Sequence, residues 1–212
     1  MDLKLIYGNM RALCEAPQMM LHYADIPYEY KMVWDHYGSS WAEVKKDIIF
    51  NRLPILIINE DKYIWQSNTI IRYLSNLTKT KPSDEFQLAY CDAVFESTHE
   101  MFSPLNPTIN MTFGEKYNSN KKKLLEDILP NSLNNFEKLL QNSSGNFFIG
   151  NDPFYCDFNA YHHFSMCLIL DKNIFSNFPN LKKFINNFEK LNNIKNYLDG
   201  RPELIELGKS PH

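Results

Sequence analysis

Residues 50–67 limit the possible fold more than any other stretch, because a proline directly precedes an unbroken aliphatic run. Pro54 has no N–H to donate to a sheet ladder and therefore belongs at the first residue of a strand. Residues 55–58 predict a buried strand, and the polar residues 59–62 predict a turn into a second strand over 63–65. This part of the chain is thus expected to form a β-hairpin.

Gln66 and Ser67 lie where the hairpin gives way to apolar residues at helical spacing. The start of a helix carries free backbone N–H groups and the positive end of the dipole, so it can bind an anion, and the Ser67 hydroxyl adds a donor. The same residues equally fit a hairpin followed by a capped helix that binds no ligand.

The residues before the hairpin complete a recognisable unit. The predicted elements are a strand over 3–7, a helix over 15–24, a strand over 26–33 and a brief helix over 41–49 with Trp41, Val44 and Ile48 on one face. A β-α-β unit followed by a hairpin and a helix predicts a mixed, four-stranded, thioredoxin-like sheet covered by helices. We expect this α/β domain to span residues 1–78.

The remainder is helical in period and predicts an all-helical domain over residues 84–212. Residues 79–83 resemble a linker that contains Pro82 and a helix-capping candidate, Ser83. The predicted helices are 84–103, stopped by Pro104 and Pro107; 121–141, kinked at Pro130; a central 157–170; 180–191; and 193–198.

Charge and cysteine usage restrict the partners and the compartment. A net charge of -3 with a pI near 6.1 offers no field for nucleic acid or an anionic membrane. No apolar run reaches the length of a membrane span, and the N-terminus lacks the pattern of a signal peptide. The four cysteines are scattered without metal-site spacing, which indicates free thiols and a cytoplasmic protein.

The pairing of Leu53-Pro54 with Gln66-Ser67 resembles the glutathione-binding half of the cytosolic glutathione transferases. That resemblance implies a cis proline at Pro54 and a Leu53 backbone that faces the cysteinyl part of glutathione. It also implies that Gln66 and Ser67 hold the γ-glutamyl carboxylate at the start of the helix.

Residues 7–13, Tyr-Gly-Asn-Met-Arg-Ala-Leu, are similar to the catalytic tyrosine loop of the sigma, mu, alpha and pi classes. The resemblance implies that the Tyr7 hydroxyl donates to the glutathione sulfur and lowers the pKa of the thiol. Trp41 and Lys45 match the pair that contacts the glycyl end of glutathione in mu and sigma enzymes. Two donors one helical turn apart suit a carboxylate, although alone they equally fit a core tryptophan beside a solvated lysine.

The resemblance covers nearly the whole chain and implies a tyrosine-type glutathione transferase closest to the sigma and mu classes. Glutathione would be the co-substrate and a hydrophobic electrophile the second substrate, in an apolar cleft between the domains lined by Met10, Phe102 and Ser103. One alternative is a sigma-type glutathione-dependent prostaglandin isomerase or peroxidase. Another is a non-catalytic carrier of hydrophobic ligands, or a structural protein, on the same fold.

A homodimer is also implied. Phe50 occupies the place where mu-class enzymes insert an aromatic key between helices of the other subunit. A closed two-fold dimer is the commonest symmetry, and loop aromatics are frequent hot spots. The alternative is that Phe50 packs within its own domain beneath Ile48 and Ile49.

Two positions depart from the family pattern. Phe154 stands where the family places a helix-capping Ser or Thr, which leaves only Asp157 and costs about 1 kcal/mol unless another acceptor substitutes. The acidic residue that reaches the partner's glutathione aligns with His99, with Glu96 and Glu100 nearby, so this contact stays open.

Two further side-chain groups have chemical potential. Asp92, Glu96 and His99 share a helix face, but a polar stripe at a subunit interface is the preferred interpretation, and we predict no metal. Cys14 follows the tyrosine by seven residues with no second cysteine nearby, so we expect a buried, unreactive thiol.

Overall fold

A computed structural model describes residues 1–201, which form two compact units. Met1–Lys81 make up the first unit together with Gly200 and Arg201, and Pro82–Asp199 make up the second. Within this part of the chain, no helix combines the length and apolar character that crossing a membrane requires.

The first unit contains the predicted mixed sheet. Its strands are β1 (Leu3–Tyr7), β2 (Glu29–Met32), β3 (Ile55–Ile58) and β4 (Lys62–Trp65), in the order β2-β1-β3-β4. β1 runs parallel to β2 and antiparallel to β3, and β3 runs antiparallel to β4. Its helices are α1 (Glu15–Tyr23), α2 (Val33–Tyr37), α3 (Trp41–Val44) and α4 (Ser67–Leu77). The thioredoxin-like architecture is confirmed.

The aliphatic run after Pro54 forms a strand buried along its whole length. One core cluster joins Ile6, Val33, Ile48, Ile55 and Ile57. Trp41 and Val44 of α3 pack against this cluster, as do Leu53 and Trp65. Burial of these side chains stabilises α3, which at four residues is too short to be stable alone.

The strand expected over 26–33 is shorter in the structure. β2 covers only four residues, and Val33 begins α2 instead of ending the strand. Met32 is extended and precedes the helical turn, and Val33 is buried in the core cluster. The alternating pattern did not distinguish a buried strand end from a buried helix start.

The second unit is helical, as predicted. Its helices are α5 (Glu85–Met111), α6 (Gly114–Lys123), α7 (Leu129–Asn142), α8 (Tyr155–Leu170), α9 (Pro179–Glu189) and α10 (Asn192–Gly200). α8 is buried on nearly all sides. Phe158 of α8 meets Phe188 of α9 edge-on at 5.1 Å between ring centroids, and Phe164 meets Phe136 of α7 at 5.5 Å. α8 therefore forms the core of the second unit.

The prediction that Pro104 and Pro107 stop the first long helix is wrong. α5 continues through both prolines to Met111. A proline inside a helix removes one backbone hydrogen bond, but the extensive packing of α5 on α8 outweighs that loss. The helix is capped by Asp84, which accepts from Gln87 N at 2.8 Å, and not by the candidate Ser83.

The single helix expected over 121–141 is also wrong in its bounds. α6 begins earlier, at Gly114, and a π-helical segment (Leu124–Ile128) separates it from α7. Pro130 lies in the first turn of α7, directly after the π-helical segment. Where a kink was predicted at Pro130, the structure has a change of helix type just before it.

Asp157 supplies one half of the capping pattern, whereas no side-chain acceptor takes the place of the Ser or Thr expected at position 154, and the Asp157 N–H donates to the Phe154 carbonyl at 2.9 Å. Its carboxylate accepts from Phe154 N at 2.8 Å and from Phe148 N at 3.1 Å. It is fully buried, and this burial raises the pKa of Asp157 to about 7 against the opposing effect of the two N–H donors. This carboxylate thus links the loop between α7 and α8 to the start of α8.

Candidate functional site

The sheet register brings three of the predicted site residues to one edge. Ile6 pairs with Ile55, and Ile55 pairs with Trp65. One residue further along, the same register aligns Tyr7, Pro54 and Gln66, which end β1, precede β3 and follow β4. Residues far apart in sequence therefore converge at one end of the sheet.

Tyr7 is buried, with 7% of its surface exposed. Its hydroxyl oxygen accepts a hydrogen bond from the backbone N–H of Leu13 at 3.3 Å. Burial raises the pKa of Tyr7 well above its usual value, and the Leu13 N–H only partly offsets that effect. The phenol is neutral at physiological pH and retains a proton that it can donate.

The loop after Tyr7 folds back on it. Leu13 lies in a 3-10 turn (Ala12–Cys14) in which Cys14 N donates to Arg11 O at 2.9 Å, and Ala12 has a positive φ of 28°. Tyr30 of β2 donates its hydroxyl to the Gly8 carbonyl at 2.7 Å. Both ends of the loop are therefore held by hydrogen bonds.

The Leu53-Pro54 peptide bond is cis, as the resemblance implied. Pro54 is buried, and half-buried Leu53 packs on the core cluster of the sheet. The backbone of Leu53 therefore enters β3 from a fixed position next to the sheet edge.

The start of α4 has the geometry expected of an anion site. Gln66 precedes the helix with φ 70° and ψ 120°, and its side chain is exposed. Ser67 is the first helical residue, and its hydroxyl donates to Asn68 Oδ1 at a long 3.4 Å. The first N–H groups of a helix have no intrahelical acceptor, so they are available to a carboxylate.

Trp41 and Lys45 are neighbours in space. The Lys45 ammonium lies 6.0 Å from the centre of the Trp41 ring. A capping box between Ser40 and Glu43 fixes the start of α3: Ser40 N donates to Glu43 Oε2 at 3.0 Å. Trp41 is half-buried and Lys45 is exposed, so both polar ends can reach a ligand at the surface.

The residues predicted for the second substrate and for the dimer interface lie in different elements of the two units. Met10 is half-buried in the loop after Tyr7. Phe102 of α5 is buried and stacks on His163 at 4.2 Å, whereas its neighbour Ser103 is exposed. Phe50 is 60% exposed with a φ of 65°.

The rings of Phe50 and Trp65 lie edge-on, with 6.2 Å between their centroids. The exposure of Phe50 does not fit the alternative of packing beneath Ile48 and Ile49. The residue is therefore an aromatic presented at the surface of the first unit.

The cysteine thiols are buried, and the candidate metal ligand Asp92 takes part in a hydrogen bond between helices. All four cysteines are free and buried, and burial raises the pKa of Cys14 well above its usual value, which fits the expected unreactive thiol. Residues 1–201 contain no group of three or more potential metal-ligating side chains. Asp92 accepts from the Tyr155 hydroxyl at 2.8 Å, so its carboxylate connects α5 to α8.

The sequence reasoning missed Tyr30 and the N–H of Leu13. A backbone N–H carries no sequence signal of its own. The sequence contains only a weak indication of Tyr30: it stands two residues after Tyr28, a spacing that places both side chains on one face of a strand. Only the fold shows that the Tyr30 hydroxyl reaches the loop beside Tyr7.

Comparisons with known proteins find similarities over most of the chain. The family model described as "Glutathione S-transferase, N-terminal domain" matches residues 1–76, and "Glutathione S-transferase, C-terminal domain" matches residues 99–201. The chain is similar to Glutathione S-transferase P of Caenorhabditis elegans, with 29% identity covering 95% of this chain and 94% of the relative.

Two further similarities come from mammals. Human Glutathione S-transferase Mu 3 is 30% identical, covering 91% of this chain and 85% of the relative. The solved structure of rat hPGDS with a quinoline is 25% identical, covers 96% of this chain and 98% of that chain, and superposes with a TM-score of 0.84.

Proposed function

This chain belongs to the glutathione S-transferase family and uses glutathione as its co-substrate, and we propose that Tyr7 activates the glutathione thiol for attack on an apolar electrophile. The observation that carries the proposal is the state of the Tyr7 hydroxyl. Its oxygen accepts the Leu13 N–H while burial keeps its own proton in place. A hydroxyl in this state donates.

The proposed chemistry follows from that donation. A hydrogen bond from Tyr7 to the sulfur stabilises the thiolate relative to the thiol, so the thiol loses its proton to solvent at a lower pH. The thiolate then attacks the electrophilic carbon and forms a C–S bond. With an aryl halide, the halide leaves with the electron pair of its bond.

Glutathione would be held by groups remote from its sulfur. Trp41 and Lys45 would donate to the glycyl carboxylate, and the start of α4, with Gln66 and Ser67, would bind the γ-glutamyl carboxylate. The backbone of Leu53, set in place by Pro54, would pair with the cysteinyl part. Two observations support these roles: the alignment of Pro54 and Gln66 at one sheet edge, and the closeness of the Lys45 ammonium to the Trp41 ring.

For the second substrate we propose an apolar electrophile, with Met10 in the first unit and Phe102 and Ser103 in the second as the residues to test by substitution. Conjugation of apolar electrophiles is a detoxification reaction, and we propose it as the role of the protein in the cytoplasm. The non-catalytic alternative has less support, because the relatives compared above are named as transferases.

Calorimetric titration with glutathione, followed by a conjugation assay with 1-chloro-2,4-dinitrobenzene, tests the proposal. We expect saturable binding and a rate that depends on both substrates. Absence of a binding heat, together with absence of conjugate, would contradict a working glutathione site.

A second candidate is a glutathione-dependent prostaglandin isomerase or peroxidase. Its support is the structural likeness to rat hPGDS. Incubation with a prostaglandin endoperoxide or with cumene hydroperoxide, each with glutathione, separates the candidates. Turnover of either that exceeds aryl halide conjugation by a wide margin would favour the second.

We also propose a two-fold homodimer in which Phe50 of each subunit is buried by the other. An aromatic side chain that is 60% exposed beside exposed Ile49 is a costly surface unless a partner covers it. Sedimentation of Phe50→Ala should show a weakened dimer of folded subunits. Phe113→Ala, which removes another exposed phenylalanine, is the control and should leave the dimer affinity unchanged.

A further inference from the structure

Tyr30 is a residue to which neither the motifs nor the family comparison assigns a role. It lies in β2, where its Cα pairs with Leu5 of β1 in parallel register. Its hydroxyl donates to the Gly8 carbonyl at 2.7 Å, across 22 residues of sequence. Gly8 directly follows Tyr7, so this bond fixes the chain where it leaves the strand.

The same loop returns to Tyr7 through Leu13. The bond from Leu13 N to the Tyr7 hydroxyl spans six residues, and at 3.3 Å it is long for an N–H donor. Its geometry depends on the loop path, which includes the positive φ of Ala12. A displacement of Gly8 would therefore change the position of the Leu13 N–H relative to the Tyr7 oxygen.

We propose that Tyr30 is a positioning residue for the transferase reaction, which acts by holding the Gly8–Leu13 loop so that the Tyr7 proton points at the glutathione sulfur. This inference rests on the proposed function of Tyr7. Because the Tyr7 oxygen accepts from Leu13 N, its own O–H must point elsewhere, and the loop determines that direction.

The surroundings of Tyr30 keep it a donor. Burial raises the pKa of Tyr30 far above its usual value, with further contributions from nearby Cys14 and Tyr7. The phenol stays neutral, and a neutral hydroxyl at 2.7 Å from a carbonyl oxygen is a well-formed hydrogen bond.

Tyr28 provides a matched control. It lies two residues earlier, just before β2, and burial raises the pKa of its hydroxyl as well. Its hydroxyl donates to Gln18 Oε1 of α1 at 3.1 Å, not to the Tyr7 loop. Tyr28→Phe thus removes a comparable hydroxyl from the same region without releasing Gly8.

The experiment compares Tyr30→Phe with Tyr28→Phe in conjugation kinetics and in the pH titration of enzyme-bound glutathione by thiolate absorbance. Tyr30→Phe should lower kcat by about tenfold and raise the pH at which the bound thiol ionises, since small misplacements of catalytic groups are costly. Its KM for glutathione should stay within about twofold of the parent, because the carboxylate-binding residues are untouched. Tyr28→Phe should leave kcat and the thiol titration unchanged.

A double mutant identifies the route of the effect. In a Tyr7→Phe background, Tyr30→Phe should cause no further loss of kcat, because the residue acts through Tyr7. An additional tenfold loss there, equal losses in the Tyr28 and Tyr30 variants, or a Tyr30→Phe enzyme identical to the parent would each overturn the inference.

The same set of variants separates the two proposals. If Tyr7→Phe is impaired but Tyr30→Phe is not, only the positioning role fails. If Tyr7→Phe itself keeps the parent rate and thiol titration, the proposed function of Tyr7 fails as well.

Discussion

Tyr7 in the first unit and Asp157 in the second are both buried side chains that accept hydrogen bonds from backbone N–H groups, but they differ in what they can do. Each is a buried acid that accepts backbone N–H groups from a neighbouring loop: one for Tyr7, from Leu13, and two for Asp157, from Phe148 and Phe154. In both cases burial raises the pKa of the side chain.

The difference lies in what each group can still do. The phenol of Tyr7 accepts one bond and keeps a proton that no loop group takes up, so it can serve a ligand. Both oxygens of Asp157 are engaged by its own loop, so its interactions stabilise the fold. The number of N–H groups that each side chain accepts thus distinguishes a group available to a ligand from one engaged in holding the fold.

The largest expected effect is on rate, in Tyr7→Phe. Loss of one donor aimed at an anionic sulfur should reduce conjugation by roughly 10²–10³, while volume and packing are nearly conserved. Glutathione affinity should fall much less, because the other site residues bind groups remote from the sulfur. Thiolate absorbance of the complex against pH provides the check, and a titration identical to that of the parent would exclude Tyr7 as the activating group.

Asp157→Ala should have the largest effect on stability. It leaves two N–H groups without their acceptor, which we expect to lower the free energy of unfolding by about 3 kcal/mol at neutral pH. Urea denaturation measures this. The control is Asp84→Ala, which removes a single exposed helix cap and should cost less; equal losses would contradict the central role of the buried carboxylate.

The pH dependence of stability tests the raised pKa of Asp157 without removing its side chain. The folded pKa of Asp157, about 7, lies above its ordinary value of 3.8. Between these values the Asp157 carboxyl of the folded protein holds a proton that the unfolded chain has lost, so the contribution of Asp157 to stability is greatest below about pH 4 and falls as the pH rises towards 7. The slope should approach about 1.4 kcal/mol per pH unit at most. Asp157→Asn should lack this component, and superimposable profiles of the two proteins would contradict the raised pKa.

The smallest expected effect is that of Lys45→Ala. Its ammonium is exposed beside Trp41, and exposed charges contribute little in water. Glutathione binding should weaken by roughly threefold, and more at low salt than at high salt, with kcat unchanged. Calorimetry at two ionic strengths is the measurement. A change in kcat would mean that Lys45 affects the chemistry and not only the binding.

Much of the fold followed from pattern, and the failures have physical causes. The aliphatic run after Pro54 predicted β3 correctly, because burial on both faces requires such a sequence. Pro104 and Pro107 misled because a local helix breaker was outweighed by packing along α5 and α8. α6 was missed because its residues, Gly-Glu-Lys-Tyr-Asn-Ser-Asn-Lys-Lys-Lys, carry too few apolar side chains to show a period.

The sequence by itself determined most of the strands and helices, because these depend on local chemistry and spacing, and its resemblance to a known family supplied the cis-proline motif and the candidate site residues. Only the tertiary structure decided that Tyr7, Pro54 and Gln66 share one sheet edge, and that Tyr30 reaches Gly8. Only it decided that the Asp157 carboxylate links the loop before α8 to the start of that helix. Such contacts join residues distant in sequence, and they form only when burial of the whole core has fixed the backbone, so no local pattern encodes them.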